Sequence, residues 1–219
     1  MITQEMKVQE AVKVNPAIIQ VLSASGIDYC CGGDANLGEA IDAQNIDVPS
    51  FIASLNRMEK EDMGSFEEAL ELGPRDLVDY IIDVHHRREL QWLDEIDQNL
   101  AKLLKVHYAK HGQELTDIYQ RFLTLKLELV PHFAKEEYAD FPAFLEHGTF
   151  DFTELRAEHE ATGELLDALD RDTHGFTPPA DGCATYQYTF RLLRDLAADI
   201  HRHIFLENSV LFEMKAMNL

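Results

Sequence analysis

The chain has 219 residues, of which 46% are hydrophobic and 27% charged, enough for one large domain or for one domain with a small appendage. Lys and Arg number 19 against 40 Asp and Glu, a formal net charge of −21. So acidic a chain is not expected to bind nucleic acid or an anionic membrane, because both depend on Lys and Arg. The start lacks a signal-peptide pattern, and no run of about 18 apolar residues occurs, so we predict a cytoplasmic protein.

Residues 1–65 are predicted to form a small helical domain around a tight, glycine-rich loop. Within that loop, Cys30 and Cys31 precede two glycines. Neighbouring cysteines bridge each other only with strain, and three cysteines in all do not indicate a secreted disulfide framework. The charged segment 59–65 is interpreted as a linker. Short helices are predicted at 7–14, 16–24, 36–44 and 49–58.

Residues 66–219 are predicted to form a domain of four long helices. Gly and Pro separate long helical periods, and no strand-like alternation occurs. Helices joined by mostly short loops favour an antiparallel four-helix bundle. Pro131 falls inside the second helix and costs about 3 kcal/mol there, so that helix is expected either to kink or to restart. The four helices are predicted at about 75–107, 114–147, 152–171 and 183–217.

Two of these helices place a histidine and, four residues later, a glutamate on their apolar stripe. In the fourth helix, His203 and Glu207 continue a stripe with alternating steps of four and three residues, the repeat of a buried bundle face. In the second helix, His132 and Glu136 occupy equivalent positions. Toward its C-terminal end, the stripe of the second helix continues with Ala139 and Ala143. The stripe of the fourth helix continues with Val210 and Met214.

The other two helices each place one histidine on the inward face. In the third helix this residue is His159. In the first helix we favour His86 over His85, because the stripe through His85 passes Trp92 and Asn99. The stripe of the third helix comprises Leu155, His159, Thr162, Leu166 and Leu169. The stripe of the first helix comprises Ile82, His86, Glu89, Leu93, Ile96 and Leu100.

Two buried glutamates and four buried imidazoles require compensation, because a buried charge without a partner costs several kcal/mol. A dinuclear metal centre with bridging carboxylates would provide it. Imidazole and carboxylate ligands without thiolate suit iron or manganese, and zinc also fits. The reversed order and the spacing of four distinguish this pattern from the Glu-x-x-His of ferritin-like bundles. The alternative is a plain bundle without metal. Surface or helix-end positions are predicted for His107, His111, His147, His174 and His201.

At these residues the sequence resembles hemerythrin-like bundles, and specifically the di-iron repair of iron centres family, the YtfE/ScdA-type proteins. Matching segments lie at 28–33 (Asp-Tyr-Cys-Cys-Gly-Gly), 132–137, 158–160 and 203–208. The resemblance covers nearly the whole chain. The sequence departs from the family pattern at two positions. Pro131 lies directly before a ligand position, and Glu213 stands where the family often has proline.

The resemblance implies an oxo- or hydroxo-bridged centre of two non-haem irons. Glu136 and Glu207 would bridge the irons. It also implies repair of iron–sulfur clusters damaged by nitric oxide or oxidants, by donation of iron to the damaged proteins. Glu128 and Glu158 would lie near the site and help iron leave. The ligating imidazoles implied are those of His86, His132, His159 and His203.

The resemblance also favours a functional role for Cys30 and Cys31. Thiol redox exchange, transient iron binding and contact with a partner are the candidate roles, since thiolate is both a nucleophile and a soft ligand. The alternative is a pair of buried small residues in a tight loop. Cys183 is interpreted as structural or incidental.

Three alternatives to iron donation stay open from the sequence. The di-iron centre could reduce nitric oxide, in which case the protein is an enzyme. It could instead bind oxygen or nitric oxide reversibly, as a hemerythrin-like sensor. The third alternative is the metal-free bundle. Monomer and dimer are both compatible with the sequence.

Overall fold

The computed structural model describes residues 1–59 and 65–214. Over these residues the chain is helical, with no strand beyond an isolated bridge between Lys7 and Asn36. The prediction of an all-α fold, a helical bundle with a small N-terminal helical region, is confirmed. The described chain divides into two compact units. Unit 1 contains the residues up to Leu77 together with the segment that begins at Ile204, and unit 2 contains Val78–His203.

The N-terminal helices of unit 1 are short, and side chains cap the starts of two of them. Asn36 and Asp47 accept hydrogen bonds from the backbone N–H groups three residues later, at the starts of α3 (Leu37–Ala43) and α4 (Val48–Arg57). The helices predicted in this region are confirmed. Residues 60–64 of the predicted linker lie outside the described residues. The helices are α1 (Val8–Val14), α2 (Ile19–Ala24), α3 (Leu37–Ala43), α4 (Val48–Arg57) and α5 (Ser65–Ala69), with a 3-10 turn at Pro16–Ile18.

Long helices follow. The predicted first and second helices form one nearly continuous run, broken by non-helical backbone angles at His111 (φ −123°, ψ 18°). That position lies between the two helices predicted from the sequence. The elements are α6 (Pro74–Tyr80), a π-helix at Ile81–His86, α7 (Arg87–Lys135), a π-helix at Glu136–Asp140, α8 (Phe141–His147), α9 (Thr153–Asp172), α10 (Ala184–Ser209) and a 3-10 turn at Leu211–Glu213.

Pro131 does not end the helix that contains it. It lies inside α7, where non-helical backbone angles are recorded at His111 and not at Pro131. Of the two alternatives expected at Pro131, a kink or a restart, the restart does not occur. Pro131 faces solvent, and so does Leu127, whose carbonyl loses its usual partner. Water can bind that carbonyl, which limits the cost of the proline.

The π-helix at Glu136–Asp140 corrects the predicted inward face beyond Glu136. Ala139 is exposed and Ala143 is not buried, whereas Phe141 and Phe144 are buried. A π-helix pairs residues five apart and so inserts one extra residue into the helical repeat. A stripe extrapolated at 3.6 residues per turn therefore leaves the true core face at this segment.

The last predicted helix is too long at its C-terminal end. The helix α10 ends at Ser209, not at residue 217, and Met214 follows the 3-10 turn. Residues 215–219 lie outside the described residues. The predicted stripe of the third helix, by contrast, is buried along its whole length, from Leu155 to Leu169 in α9. Within the described residues, no helix is long and apolar enough to cross a membrane.

Candidate metal centre

The first group of candidate ligands lies in the interior of unit 2. His86 comes from the π-helix at Ile81–His86, and His203 comes from α10. Their Nε2 atoms are 3.1 Å apart, and the Nε2 of His86 is 3.5 Å from the Oε2 of Glu136. The candidate ligand atoms of these three buried residues all lie within 4.8 Å of one another. Three donors from three helical segments therefore converge on one point.

A second group shares the same glutamate. The Oε1 of Glu136 lies 3.3 Å from the Nε2 of His132 and 3.8 Å from the Nε2 of His159. One carboxylate oxygen of Glu136 thus faces His86, and the other faces His132 and His159. This is the disposition expected of a carboxylate that bridges two metal ions. Helix α7 supplies His132, the second π-helix supplies Glu136 and α9 supplies His159.

Glu207 follows His203 by four residues in the continuous helix α10, and it is fully buried. Side chains four residues apart lie on the same face of a helix. The sequence-predicted pair His203 and Glu207 is therefore retained in the structure as two consecutive turns of one buried face.

An aromatic ring that the sequence analysis missed lies against the imidazoles. Phe133 is 1% exposed, and its ring stacks on His86 at 4.4 Å between centroids. The same ring is 5.5 Å from that of His203 and 6.0 Å from that of His132. Phe133 therefore forms an apolar wall of the candidate site. Its only sequence signal is its position beside His132.

His85 is buried as well, but its contacts differ from those of His86. Its Nδ1 is 3.1 Å from a carboxylate oxygen of Asp199, which also accepts a hydrogen bond from Arg88. Burial alone would raise the pKa of Asp199, but the hydrogen bonds from His85 and Arg88 hold that pKa below its usual value. The choice of His86 over His85 as the inward ligand stays a prediction that this arrangement supports.

On the other side of the site, an open cavity of about 590 Å³ borders His132. Glu128 and Glu158, the two acidic residues that the resemblance placed near the site, both line it. Lys135 bonds to Glu154 and Glu158 at 2.8 Å each. Burial alone would raise the pKa of Glu158, but the hydrogen bonds from Lys135 and His132 lower it. Glu158 is therefore charged at neutral pH.

None of the five histidines predicted at the surface or at helix ends is buried, and no group of convergent ligands contains them in the described residues. His107 lies 3.4 Å through its Nε2 from the sulfur of Cys183, which is exposed just before α10 begins. His111 lies 3.1 Å through its Nε2 from Asp181.

The two cysteines of unit 1 lie in a loop organised by Asp28. The Asp28 carboxylate accepts hydrogen bonds from the backbone N–H groups of Cys30, Cys31 and Gly32, at 2.9 to 3.0 Å. A Cβ on Gly32 would lie 3.1 Å from the Asp28 carbonyl oxygen, a tighter contact than most Cβ atoms make, which favours glycine there.

The two sulfurs are 3.8 Å apart and form no disulfide. A hydrogen bond with Cys31, burial and the neighbouring Asp28 charge raise the pKa of the Cys30 thiol well above its ordinary value. Cys30 therefore remains protonated at neutral pH, and Cys31 presents the more exposed side chain of the pair.

The donor set of unit 2 fits a divalent transition metal. Nε2 atoms and a carboxylate converge without thiolate, a combination that suits iron, manganese or zinc. The residues of unit 2 that would hold such a metal are His86 and His203 on one side of Glu136, and His132 and His159 on the other. These contacts favour the ligand set proposed from the sequence.

Comparisons with known proteins agree with this chemistry. Residues 77–214 match the hemerythrin HHE cation binding domain, and residues 4–59 match a domain of unknown function, DUF542. The chain is 30% identical over 222 residues to the iron-sulfur cluster repair protein ScdA of Staphylococcus haemolyticus, covering 97% of this chain and 98% of the relative. It is 31% identical to the iron-sulfur cluster repair proteins YtfE of an Enterobacter species and of Salmonella choleraesuis, covering 85% of each chain.

Proposed function

Because the chain belongs to the hemerythrin HHE family and resembles its iron–sulfur cluster repair members along nearly its full length, we propose that it repairs damaged iron–sulfur clusters of other proteins. We propose further that it does so by donating iron from a dinuclear store. The proposed ligands are His86, His132, Glu136, His159, His203 and Glu207.

The observation that carries this proposal is the position of Glu136. Its two carboxylate oxygens face different imidazoles, at 3.5 Å for His86 and 3.3 Å for His132. A fully buried carboxylate with imidazoles on both sides is stabilised when two cations share it, because burial of its charge otherwise costs several kcal/mol. Glu207, one turn beyond His203 in α10, is the proposed second bridge.

Six protein ligands leave two irons with incomplete coordination, so solvent or a small ligand such as nitric oxide or oxygen would complete it. The iron itself is the cargo of this reaction. The protein's part is to hold it through neutral imidazoles and to keep water away with the Phe133 wall. Release is proposed toward the cavity beside His132, where Glu128 and Glu158 offer carboxylates to a departing cation.

Cys30 and Cys31 are proposed to act in the same repair function as a thiol pair. Because thiolate is the species that both binds metals and attacks disulfides, the buried, protonated Cys30 is suited to neither role on its own. The more exposed Cys31 is therefore proposed as the thiol that meets a recipient protein. We expect Cys31→Ser to leave the iron content unchanged and to reduce iron transfer to the acceptor.

The test of donation is iron transfer from anaerobically loaded protein to an apo iron–sulfur protein. We expect about two irons per chain in the wild type and their appearance in the acceptor. Glu136→Gln should lose iron content and transfer together. Glu146→Gln, which changes an exposed glutamate of α8, should retain both.

Three results would contradict donation. Sustained conversion of nitric oxide to nitrous oxide over many turnovers, with iron retained, would indicate a reductase. Reversible binding of oxygen or nitric oxide, without any iron reaching the acceptor, would indicate a sensor. Protein that holds no iron after anaerobic loading would remove the basis of all three functions.

A further inference from the structure

Three of the four candidate imidazole ligands are held at their far nitrogen by a separate glutamate. The Nδ1 of His203 lies 3.2 Å from Glu89. The other two pairs have the same arrangement, with Nδ1 to carboxylate distances of 2.9 Å for His86 and Glu137 and 2.6 Å for His132 and Glu158. We propose that Glu89, Glu137 and Glu158 are positioning residues that aim the Nε2 lone pairs of these imidazoles at the metals. The inference rests on the proposed function only in requiring that iron binds.

A neutral imidazole carries its proton on one nitrogen and its lone pair on the other. When Nδ1–H donates to a carboxylate, Nε2 is left as the acceptor and can bind a metal. Carboxylates in this position also raise the basicity of the ligand nitrogen. In other metalloproteins their loss lowers metal affinity by about 10- to 100-fold.

This tautomer assignment has a consequence for the contact between His86 and His203. If both imidazoles donate Nδ1–H to their glutamates, both Nε2 lone pairs point at each other across 3.1 Å. Two lone pairs at that distance repel each other unless a cation lies beside them and contacts both nitrogens. The outer glutamates therefore prepare the pair of imidazoles for a cation rather than for a hydrogen bond to each other.

Glu89 is the most buried of the three. Its side chain is 0% exposed, compared with 21% for Glu137 and 36% for Glu158. Its Oε1 has no hydrogen-bond partner in the described residues. Glu89 pairs with His203, whereas Glu158 contacts Lys135 in addition to its histidine. Glu89 is thus the most enclosed of the three carboxylates, and donor atoms of His85 and Asp199 lie within 4.8 Å of it. It is the carboxylate with most to gain from a cation bound to His203.

Glu89 therefore has opposite effects on the metal-free and the iron-loaded protein. Without metal, a fully buried carboxylate with one oxygen that accepts no hydrogen bond in the described residues destabilises the fold. With metal, the same charge strengthens the ligand field through His203. A residue with a merely structural role would lower stability and iron retention together when replaced. A positioning carboxylate separates the two effects.

The test compares Glu89→Gln with wild type in two measurements on the full chain. Gln keeps an oxygen that accepts the Nδ1–H bond but removes the charge. We expect the urea midpoint of the metal-free protein to be unchanged or higher. We expect iron loss to a ferrous chelator to be about 10- to 100-fold faster. The exposed Glu146→Gln serves as the matched control and should alter neither measurement.

A second variant keeps the proposal testable if Glu89→Gln fails to fold. Glu137→Gln changes a partly exposed side chain, and we expect it to accelerate iron loss less than Glu89→Gln and more than the control. Wild-type protein that binds two irons and loses them no more slowly than either variant would overturn the inference while leaving iron donation intact. Wild-type protein without iron would overturn both.

Discussion

Replacing Phe133 with alanine tests whether the apolar wall of the candidate site is as closely packed as the structure indicates. Phe133 is 1% exposed, and its ring lies 4.4 Å from that of His86. Truncation of a buried phenylalanine to alanine costs about 3–5 kcal/mol, of which the cavity left behind is part. We expect the lower end, about 3 kcal/mol, because imidazoles line part of the cavity and allow water to enter it.

The assay is urea unfolding of the metal-free protein, so that lost iron does not contribute to the difference. With a urea dependence of about 2–3 kcal/mol per molar, a loss of about 3 kcal/mol lowers the midpoint by about 1 M or more. Phe133→Leu, which keeps most of the apolar volume, should cost about 1 kcal/mol.

Tyr138→Ala is the control, since Tyr138 is 82% exposed and lies in the π-helix five residues later. It should change the free energy of unfolding by no more than about 0.5 kcal/mol. A cost below about 1 kcal/mol for Phe133→Ala, or a cost equal to that of the control, would refute the packing described for this wall.

Three further predictions concern the imidazoles and their neighbours. His159→Ala should lower the iron content per chain, whereas His107→Ala should not, because His159 faces Glu136 and His107 lies near the surface; equal losses would contradict the assignment. The pKa of Asp199 is lowered in the folded state by His85 and Arg88, so its charge stabilises the fold above its ordinary pKa of about 3.9 and this contribution is lost as pH falls below that value. The difference in unfolding free energy between wild type and Asp199→Asn should therefore shrink below about pH 4, and parallel pH curves would contradict the role of Asp199. Iron retention against a chelator should fall as pH drops below about 6, because imidazoles must be neutral to bind metal; a flat profile would argue against histidine ligation.

Helical periodicity predicted the long helices and the inward histidines because both depend on local repeats. The stripe of α9 shows this best, since every predicted position from Leu155 to Leu169 is buried. Periodicity failed beyond Glu136, where a π-helix shifts the core from Ala143 to Phe141 and Phe144. The 3.6-residue repeat does not predict the extra residue of a π-helix.

The glutamates beyond the imidazoles show a different limit. Glu89 lay on the predicted stripe, but its role depends on His203, which is 114 residues away. Glu137 and Glu158 sit next to Glu136 and His159, and they reach imidazoles that belong to other helices. Contacts between distant helices follow from packing angles and register, which one sequence does not specify. The bridging position of Glu136 was predicted through the resemblance, and the geometry supports it.

The two π-helices have a consequence for local opening of the chain. His86 ends the first and Glu136 begins the second, so two candidate ligands from the same group lie in the two segments with i to i+5 pairing. Such segments are rare and are concentrated at functional sites. Amide hydrogens of Ile81–His86 and Glu136–Asp140 are expected to exchange with solvent sooner than those in the centre of α9, through sub-global opening that leaves the rest of the fold intact. Iron exchange then requires only this local opening, whose free energy is lower than that of global unfolding. Binding of iron should slow amide exchange in both segments at once.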